Sequence, residues 1–284
     1  MELRFVKASP CQNTTVFVED DVPVSARAEI ACHAMKDEVL AAEQVGFLVP
    51  TRAESSVLRL EMAGGEFCGN ATLALGTLAV ARGLHGAGTP FFVECSGAAA
   101  PLCVSAEAVS QGRWRGRIAL SPEAKVSGAE FSVSGEMYRG AVVELPGICH
   151  FCTENTAAVP FSKEIYDALL DRLTARAAAD AFGIIPYRAE GDGRFSIRPY
   201  VAVPAAESRV FEQACGSGSL ALGHWLSRSR GISQLDVLQP GGRIYVEMGE
   251  NPSISEEVWF PCAGTFFVDD GIVRGTLSGK SISK

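Results

Sequence analysis

The chain has 284 residues, of which 47% are hydrophobic and 20% charged, with a formal net charge of −8 and a pI near 5.2. That length accommodates about two domains, each with its own core, and the acidic balance excludes a protein built to neutralise a nucleic-acid backbone, leaving a small molecule as the default partner. No run of about 18 apolar residues is present to span a bilayer, and "MELRFVKASP" carries no basic segment followed by a long apolar stretch, so the expectation is a cytoplasmic protein with no membrane partner.

In chain order, short β-like runs open the sequence: "LRFVKA", then "TVFVED". A helical stretch over about 24–42 follows, then "VGFLVP" and "SVLRLEM", then an alanine- and leucine-rich helix over 72–80, then "PFFVEC" and "RWRGRIAL". Proline, serine and glycine accumulate in "LSPEAKVSGAEFS", residues 120–132, which reads as a boundary between domains 1–125 and 126–284, with the final strand free to return to the first. Beyond it come "YRGAVVEL", a helical stretch over about 161–177, "AFGIIPY", "RFSIRPYVAV", a second alanine- and leucine-rich helix over 220–226, and the runs "LDVLQP", "GRIYVEM" and "GTFFVDDGIV". The order is not a simple βαβ alternation, which weakens a doubly wound Rossmann-type reading.

The nine cysteines are odd in number and irregular in spacing, so no disulfide framework is expected. Cys149 and Cys152 have CxxC spacing but lack a second pair to complete a zinc site; no metal is expected. Two other cysteines stand apart. "CGNATLALG" from Cys68 and "CGSGSLALG" from Cys215 are identical at six of nine positions and lie 147 residues apart, close to half the chain. This is the signature of an internal duplication giving two structurally equivalent halves. The remaining seven thiols read as small buried hydrophobes or as incidental.

Each repeated cysteine stands where irregular chain becomes helix. The first turn of a helix has unpaired N–H groups and the positive end of the dipole, so a thiolate is stabilised there and a carboxylate can bind beside it. Gly69 with Asn70, and Gly216 with Ser217 and Gly218, leave those amides sterically open. If both helix starts hold one carboxylate, its α-carbon lies between two sulfurs. One thiolate can then remove the α-proton while the opposite thiol protonates the other face and inverts the centre. A disulfide between the two would be the oxidised, inactive form of the same pair.

At these residues the chain resembles the cofactor-independent amino-acid racemase and epimerase superfamily that includes diaminopimelate epimerase and proline racemase. "GGEFCGNAT" and "ACGSGS" are similar to its two cysteine motifs, "QPGG" at 239–242 to the turn that follows, and Asn13 in "SPCQNTTVFV" to its N-terminal asparagine. The resemblance implies an α+β fold of two pseudo-symmetric domains, each a curved, mostly antiparallel or mixed sheet wrapped around a central helix, and an isomerase needing no cofactor. It implies Cys68 and Cys215 as acid/base thiols, the amides of Gly69, Asn70, Gly216 and Ser217 as carboxylate ligands, Asn13 and Gln44 as substrate contacts, and His150 near the thiols. In an apolar strand His150 reads equally well as a core histidine.

The segment "VAVPAAESRVFEQAC" lacks the Glu-Arg-Gly run of diaminopimelate epimerases, with Glu207 and Arg209 displaced, which argues against recognition of a distal carboxylate. "EQVGF", "FEQACGSGS" and "QPGG" are closer to the histidine racemases of staphylopine-type metallophore synthesis. That comparison implies Glu43 and Glu212 beside the two half-sites, facing the substrate ammonium or a thiol; helix-end or surface carboxylates are the alternative for both. The expected partner is a free amino acid, and a homodimer is compatible with the reading. Diaminopimelate epimerase and a non-catalytic carboxylate-binding or thiol-switch module are the competing functions.

Overall fold

The computed structural model describes residues 1–156, 160–204 and 208–268. By internal contacts the chain divides into two compact units, Met1–Ile118 together with the chain from Glu257 onward, and Ala119–Glu256.

In the first unit, β1 (Glu2–Pro10) pairs antiparallel with β2 (Thr15–Val18). Helix α1 (Val24–Ala34) leads to β3 (Gln44–Val49), parallel to β2, and β4 (Ser56–Met62) returns antiparallel. Helix α2 (Gly69–Ala81) leads to β5 (Phe91–Cys95), parallel to β4, and β6 (Leu102–Ser110) and β7 (Arg113–Ala119) continue antiparallel. Every residue of α2 from Asn70 to Val80 is buried. A helix apolar all round cannot lie on a surface, and strands β1, β4, β5 and β6 pack around it. On the outer side Val16, Phe47 and Ile30 anchor a second cluster under α1.

The second unit repeats this order. β8 (Lys125–Val133), β9 (Glu136–Leu145) and β10 (Ile148–Glu154) are successively antiparallel. Helix α3 (Lys163–Thr174) precedes β11 (Ala181–Gly191), parallel to β10, and β12 (Arg194–Ile197) returns. Helix α4 (Gly216–Arg230) precedes β15 (Gln234–Gln239), parallel to β12, with β16 (Gly242–Glu247) antiparallel to it. Between β12 and α4 the unit has an addition, the antiparallel pair β13 (Tyr200–Val203) and β14 (Ser208–Phe211), laid against β11. The last strand, β17 (Ser253–Phe267), pairs with β16 through its first residues and with β1 from Val258 onward. The fold is thus mixed α+β, two units of one topology, each with a buried central helix.

The segment in which the domain boundary was expected contains β8, whose Ala129, Phe131 and Val133 alternate inward while Gly128, Glu130 and Ser132 form its open face. Two sequence expectations change. Helix α1 stops at Ala34 instead of running to 42: Ala41 has a positive φ of 47°, and the Lys7 ammonium donates to the carbonyls of Leu40 and Ala41 at 2.7 and 3.0 Å, holding this stretch in turns. "RFSIRPYVAV" is two strands, broken at Arg198 and Pro199.

Gly140 on β9 tests the close approach of strands in the second unit, because a Cβ there falls 1.9 Å from the carbonyl oxygen of Cys152, a backbone atom that cannot rotate aside. Gly140→Ala is expected to lower unfolding free energy by about 1–3 kcal/mol or more, as overpacking does, measured by urea denaturation.

Candidate active site

Cys68 is the N-cap residue of α2 and Cys215 that of α4, with nearly identical extended backbones, φ −129°, ψ 111° and φ −126°, ψ 103°. Each sulfur accepts the N–H three residues on, from Ala71 at 3.4 Å and from Gly218 at 3.3 Å. Cysteine here fills the role that serine or aspartate ordinarily plays at an N-cap. In both helices the next bonds also match: Thr72 and Ser219 send their hydroxyls back to the carbonyls of Cys68 and Cys215, at 2.7 and 2.8 Å.

The approach to Cys68 is held by Gly97. Its φ of +73° is a left-handed conformation, and a Cβ there falls 2.3 Å from the Phe67 amide nitrogen; the neighbouring Ser96 hydroxyl donates to Glu66 O at 2.9 Å. The Cys68 thiol donates to Gln44 Oε1 at 3.0 Å. Gln44 and Glu43 are themselves tied to the residue after Asn13, since both backbone amides donate to Thr14 O. Asn13, buried, follows the left-handed turn of Cys11 and Gln12. Glu43 is exposed at its surface, yet surrounding protein raises its carboxyl pKa, with Lys7 opposing.

Cys215 is more enclosed. Burial pushes its thiol pKa well up, and the charge of Glu212 and its hydrogen bond with the thiol push the same way; Ser217 and the Gly218 amide oppose them. Ser217 Oγ lies 3.5 Å from the sulfur and 3.0 Å from His150 Nε2. His150 is fully buried and burial lowers its pKa to about 3, so it is neutral, and its Nδ1 has no hydrogen-bond partner among the described residues. An unpaired lone pair costs less than an unpaired N–H, which favours the tautomer with the proton on Nε2, donating to Ser217. Gly183 on β11 makes room for the ring: a Cβ there falls 2.2 Å from Nδ1. Gly218 stands where the first copy has Ala71 because a Cβ would meet Ile185 Cδ1 at 2.6 Å.

The structure therefore groups Cys68 with Gln44, and Cys215 with Glu212, Ser217 and His150. Gly69, Asn70 and Gly216 fall in the first turns of α2 and α4. Arg209 pairs with Asp167 and Asp171 on α3 and serves packing, and Glu207 lies outside the described residues. Cys149 and Cys152, three apart on a strand, point to opposite faces, so they cannot act as a chelating pair. Two neighbours were not singled out by the sequence. Gln239 Oε1 accepts the Cys215 N–H at 2.7 Å and its Nε2 donates to Ser219 Oγ at 2.9 Å; burial raises the thiol pKa of Cys95, counted among the incidental thiols, with the Thr72 hydroxyl and the Cys68 backbone opposing. The "QPGG" turn marked Gln239 without giving it a task.

Solved structures share the two-unit fold. A hydroxyproline epimerase from Agrobacterium vitis with bound trans-4-hydroxy-L-proline superposes with a TM-score of 0.67 at 11% identity, covering 95% of this chain and 93% of that one. A phenazine biosynthesis protein of the PhzF family from Bacillus anthracis gives 0.65 at 14%, covering 94% and 99%. At such identities the likeness is one of fold. The family model described as the histidine racemase CntK N-terminal domain matches residues 2–258, and the chain belongs to that family. A histidine racemase of Fusobacterium nucleatum is 29% identical over 242 residues, 84% of this chain and 87% of the relative. One from Staphylococcus aureus is 22% identical over 94% and 98%.

His150 sets a pH dependence of stability. Its pKa is lowered from 6.5 to about 3 on folding, so below pH 6.5 the unfolded chain binds a proton that the native one does not, and stability falls between pH 6.5 and 3. Urea midpoints are expected to drop as pH falls through that window, and His150→Gln is expected to flatten the drop.

Proposed function

We propose that the protein interconverts L- and D-histidine without a cofactor, with Cys68 and Cys215 as the two acid/base groups. The observation that supports this most is the repeated cap. Two helices of matching surroundings each begin on a cysteine whose sulfur is held by the amide three residues on. The substrate class follows from membership of the family and from the named activity of its relatives.

In this reading the first-turn amides of Gly69, Asn70, Gly216 and Ser217 hold the substrate α-carboxylate, and the helix dipoles favour its charge. One thiolate takes the α-proton, the amides stabilise charge that moves onto the carboxylate, and the other thiol returns a proton to the opposite face. Burial and Glu212 keep Cys215 protonated at neutral pH, so it is the acid in the resting state, and Glu212 accepts its proton when the roles exchange. Gln44 serves Cys68 in either form, since its amide accepts from the thiol as seen and, turned over, donates to the thiolate. Glu43 and Glu212 are the carboxylates available to the substrate ammonium, with Asn13 a further polar contact. The enzyme would act in the cytoplasm on free histidine, as a homodimer, supplying D-histidine for metallophore assembly.

Incubation with L-histidine in deuterated water, followed by proton NMR and chiral analysis, tests the reading. Wild type is expected to exchange the α-proton and form D-histidine, and Cys68→Ser or Cys215→Ser to lose about 10²–10⁴-fold in rate. Full activity in either variant overturns the two-thiol mechanism; exchange only with lysine or diaminopimelate overturns the substrate.

A further inference from the structure

We infer that the turn closing the strand after each central helix positions the reactive cysteine of its own unit, with Ser96 the positioning residue for Cys68 and Gln239 that for Cys215. This rests on the proposed role of the two thiols as acid/base groups.

Strands β5 and β15 are equivalent in the two units: each is the parallel strand reached through the central helix, from β4 and from β12. In the second unit Gln239, the last residue of β15, closes a ring on the cap. Its oxygen accepts the Cys215 N–H at 2.7 Å, its nitrogen donates to Ser219 Oγ at 2.9 Å, and Ser219 donates to the Cys215 carbonyl at 2.8 Å. The amide lies only this way round, because a backbone N–H needs an acceptor and the Ser219 hydroxyl has already given its proton to Cys215 O. Two residues further on, the Gly241 N–H donates to Gln213 O at 2.8 Å. The chain is therefore held just before the cap and at both polar backbone groups of the cap itself. Gln239, Ser219 and Cys215 are all buried, so rotating the cysteine backbone breaks hydrogen bonds that water does not replace.

The first unit grips the same point with a different atom. Ser96 directly follows β5, and its hydroxyl accepts the N–H of Met62, the last residue of β4, at 2.9 Å and donates to Glu66 O at 2.9 Å. Glu66 and Gln213 each stand two residues before their cysteine. The carbonyl taken by a serine hydroxyl in one half is thus taken by a backbone amide in the other. The Ser96 N–H also donates to Leu60 O at 2.9 Å, which ties the turn to β4. The sulfur of an N-cap residue swings with its backbone, and misplacing a reacting group by about 1 Å costs about 100-fold in rate. Both turns set where the thiol points without supplying a group of their own to the reaction.

The test crosses the two units. Gln239→Leu, which keeps the bulk and loses both side-chain bonds, is compared with Ser96→Ala and with Ser96→Thr, which keeps the hydroxyl. Racemisation of L-histidine is followed together with iodoacetamide alkylation of each cysteine, read by peptide mass mapping. Gln239→Leu is expected to lower kcat by about 10- to 100-fold, as misplacement of a reacting group does, with KM changed less than about threefold. It is expected to change the alkylation rate of Cys215 by more than about threefold, since a thiol's reactivity follows its surroundings, and to leave that of Cys68 as in wild type. Ser96→Ala is expected to give the converse, Cys68 changed and Cys215 not, with a loss in kcat that Ser96→Thr recovers to within about fivefold. Cys149 and Cys152, buried on β10 of the second unit, report general loosening. If Gln239→Leu exposes them along with Cys215, or alters Cys68 and Cys215 alike, the residue serves stability alone and the proposal is overturned. An unchanged Cys215, a loss carried by KM, or a threonine variant no better than alanine overturns it too. If wild type racemises no amino acid, the racemase reading fails, and the alkylation pattern still decides whether each turn positions its own cysteine.

Discussion

A backbone N–H donated to a cysteine sulfur at a helix start is the bond on which the rest of the structure depends. It requires the first turn to be made of small residues, since the sulfur and any anion beside it compete for the same few amides. It also requires the helix to begin inside the protein, where the partial positive charge of its N-terminus is not dissipated by water. A helix that starts inside and stays inside must be apolar on every side, as α2 is from Ala71 through Val80 apart from two threonines that bond to their own helix backbone. Strands must then enclose it, and parallel pairs separated by a helix, β4 with β5 and β12 with β15, are the connections that achieve this.

Identical caps need not produce identical thiols. L- and D-histidine have equal free energy in solution, so a racemase needs no bias toward either product, but in the proposed mechanism one sulfur begins each turnover as base and the other as acid. The surroundings beyond the cap can set that difference. Cys215 has a carboxylate three residues before it and a neutral histidine behind its serine, and burial with the carboxylate's charge holds the proton on sulfur. Cys68 has an amide, which carries no charge and can present either end. The charge asymmetry therefore lies in the environment of the sulfurs and not in the way the helices hold them.

What the sequence revealed follows from distance along the chain. The cap is local: cysteine, small residues and apolar run fall within nine positions, so its repetition at Cys215 could be read directly. The central helices were legible because nothing but burial accommodates a run such as "TLALGTLAV". The ring around the Cys215 cap was not, because Gln239 lies 24 residues beyond Cys215 and meets it only when β15 has taken its place beside β12. β8 was not read as a strand for a related reason. Glycine and serine suit a loop, and only pairing with β9 makes Gly128 and Ser132 part of the outer face of a strand. The end of α1 depended on Lys7, a residue from a different strand, capturing carbonyls that helix propensity had assigned elsewhere.

The source of the asymmetry between the halves is an insertion. In the first unit β4 leads to α2 through Ala63–Phe67, and the position three before Cys68 is Gly65, a residue in the left-handed region with φ +79°. In the second unit the pair β13 and β14 intervenes, and its end delivers Glu212 to the same offset before Cys215. The insertion is fastened on both sides: β13 pairs with β11, and Arg209 on β14 bridges Asp167 and Asp171 of α3. The Glu212 amide then donates to Pro199 O, across the break between β12 and β13. A duplicated unit with one extra hairpin thus acquires a fixed carboxylate beside one of its two thiols, while the bond from helix to sulfur, and the central helix that bond requires, stay the same in both.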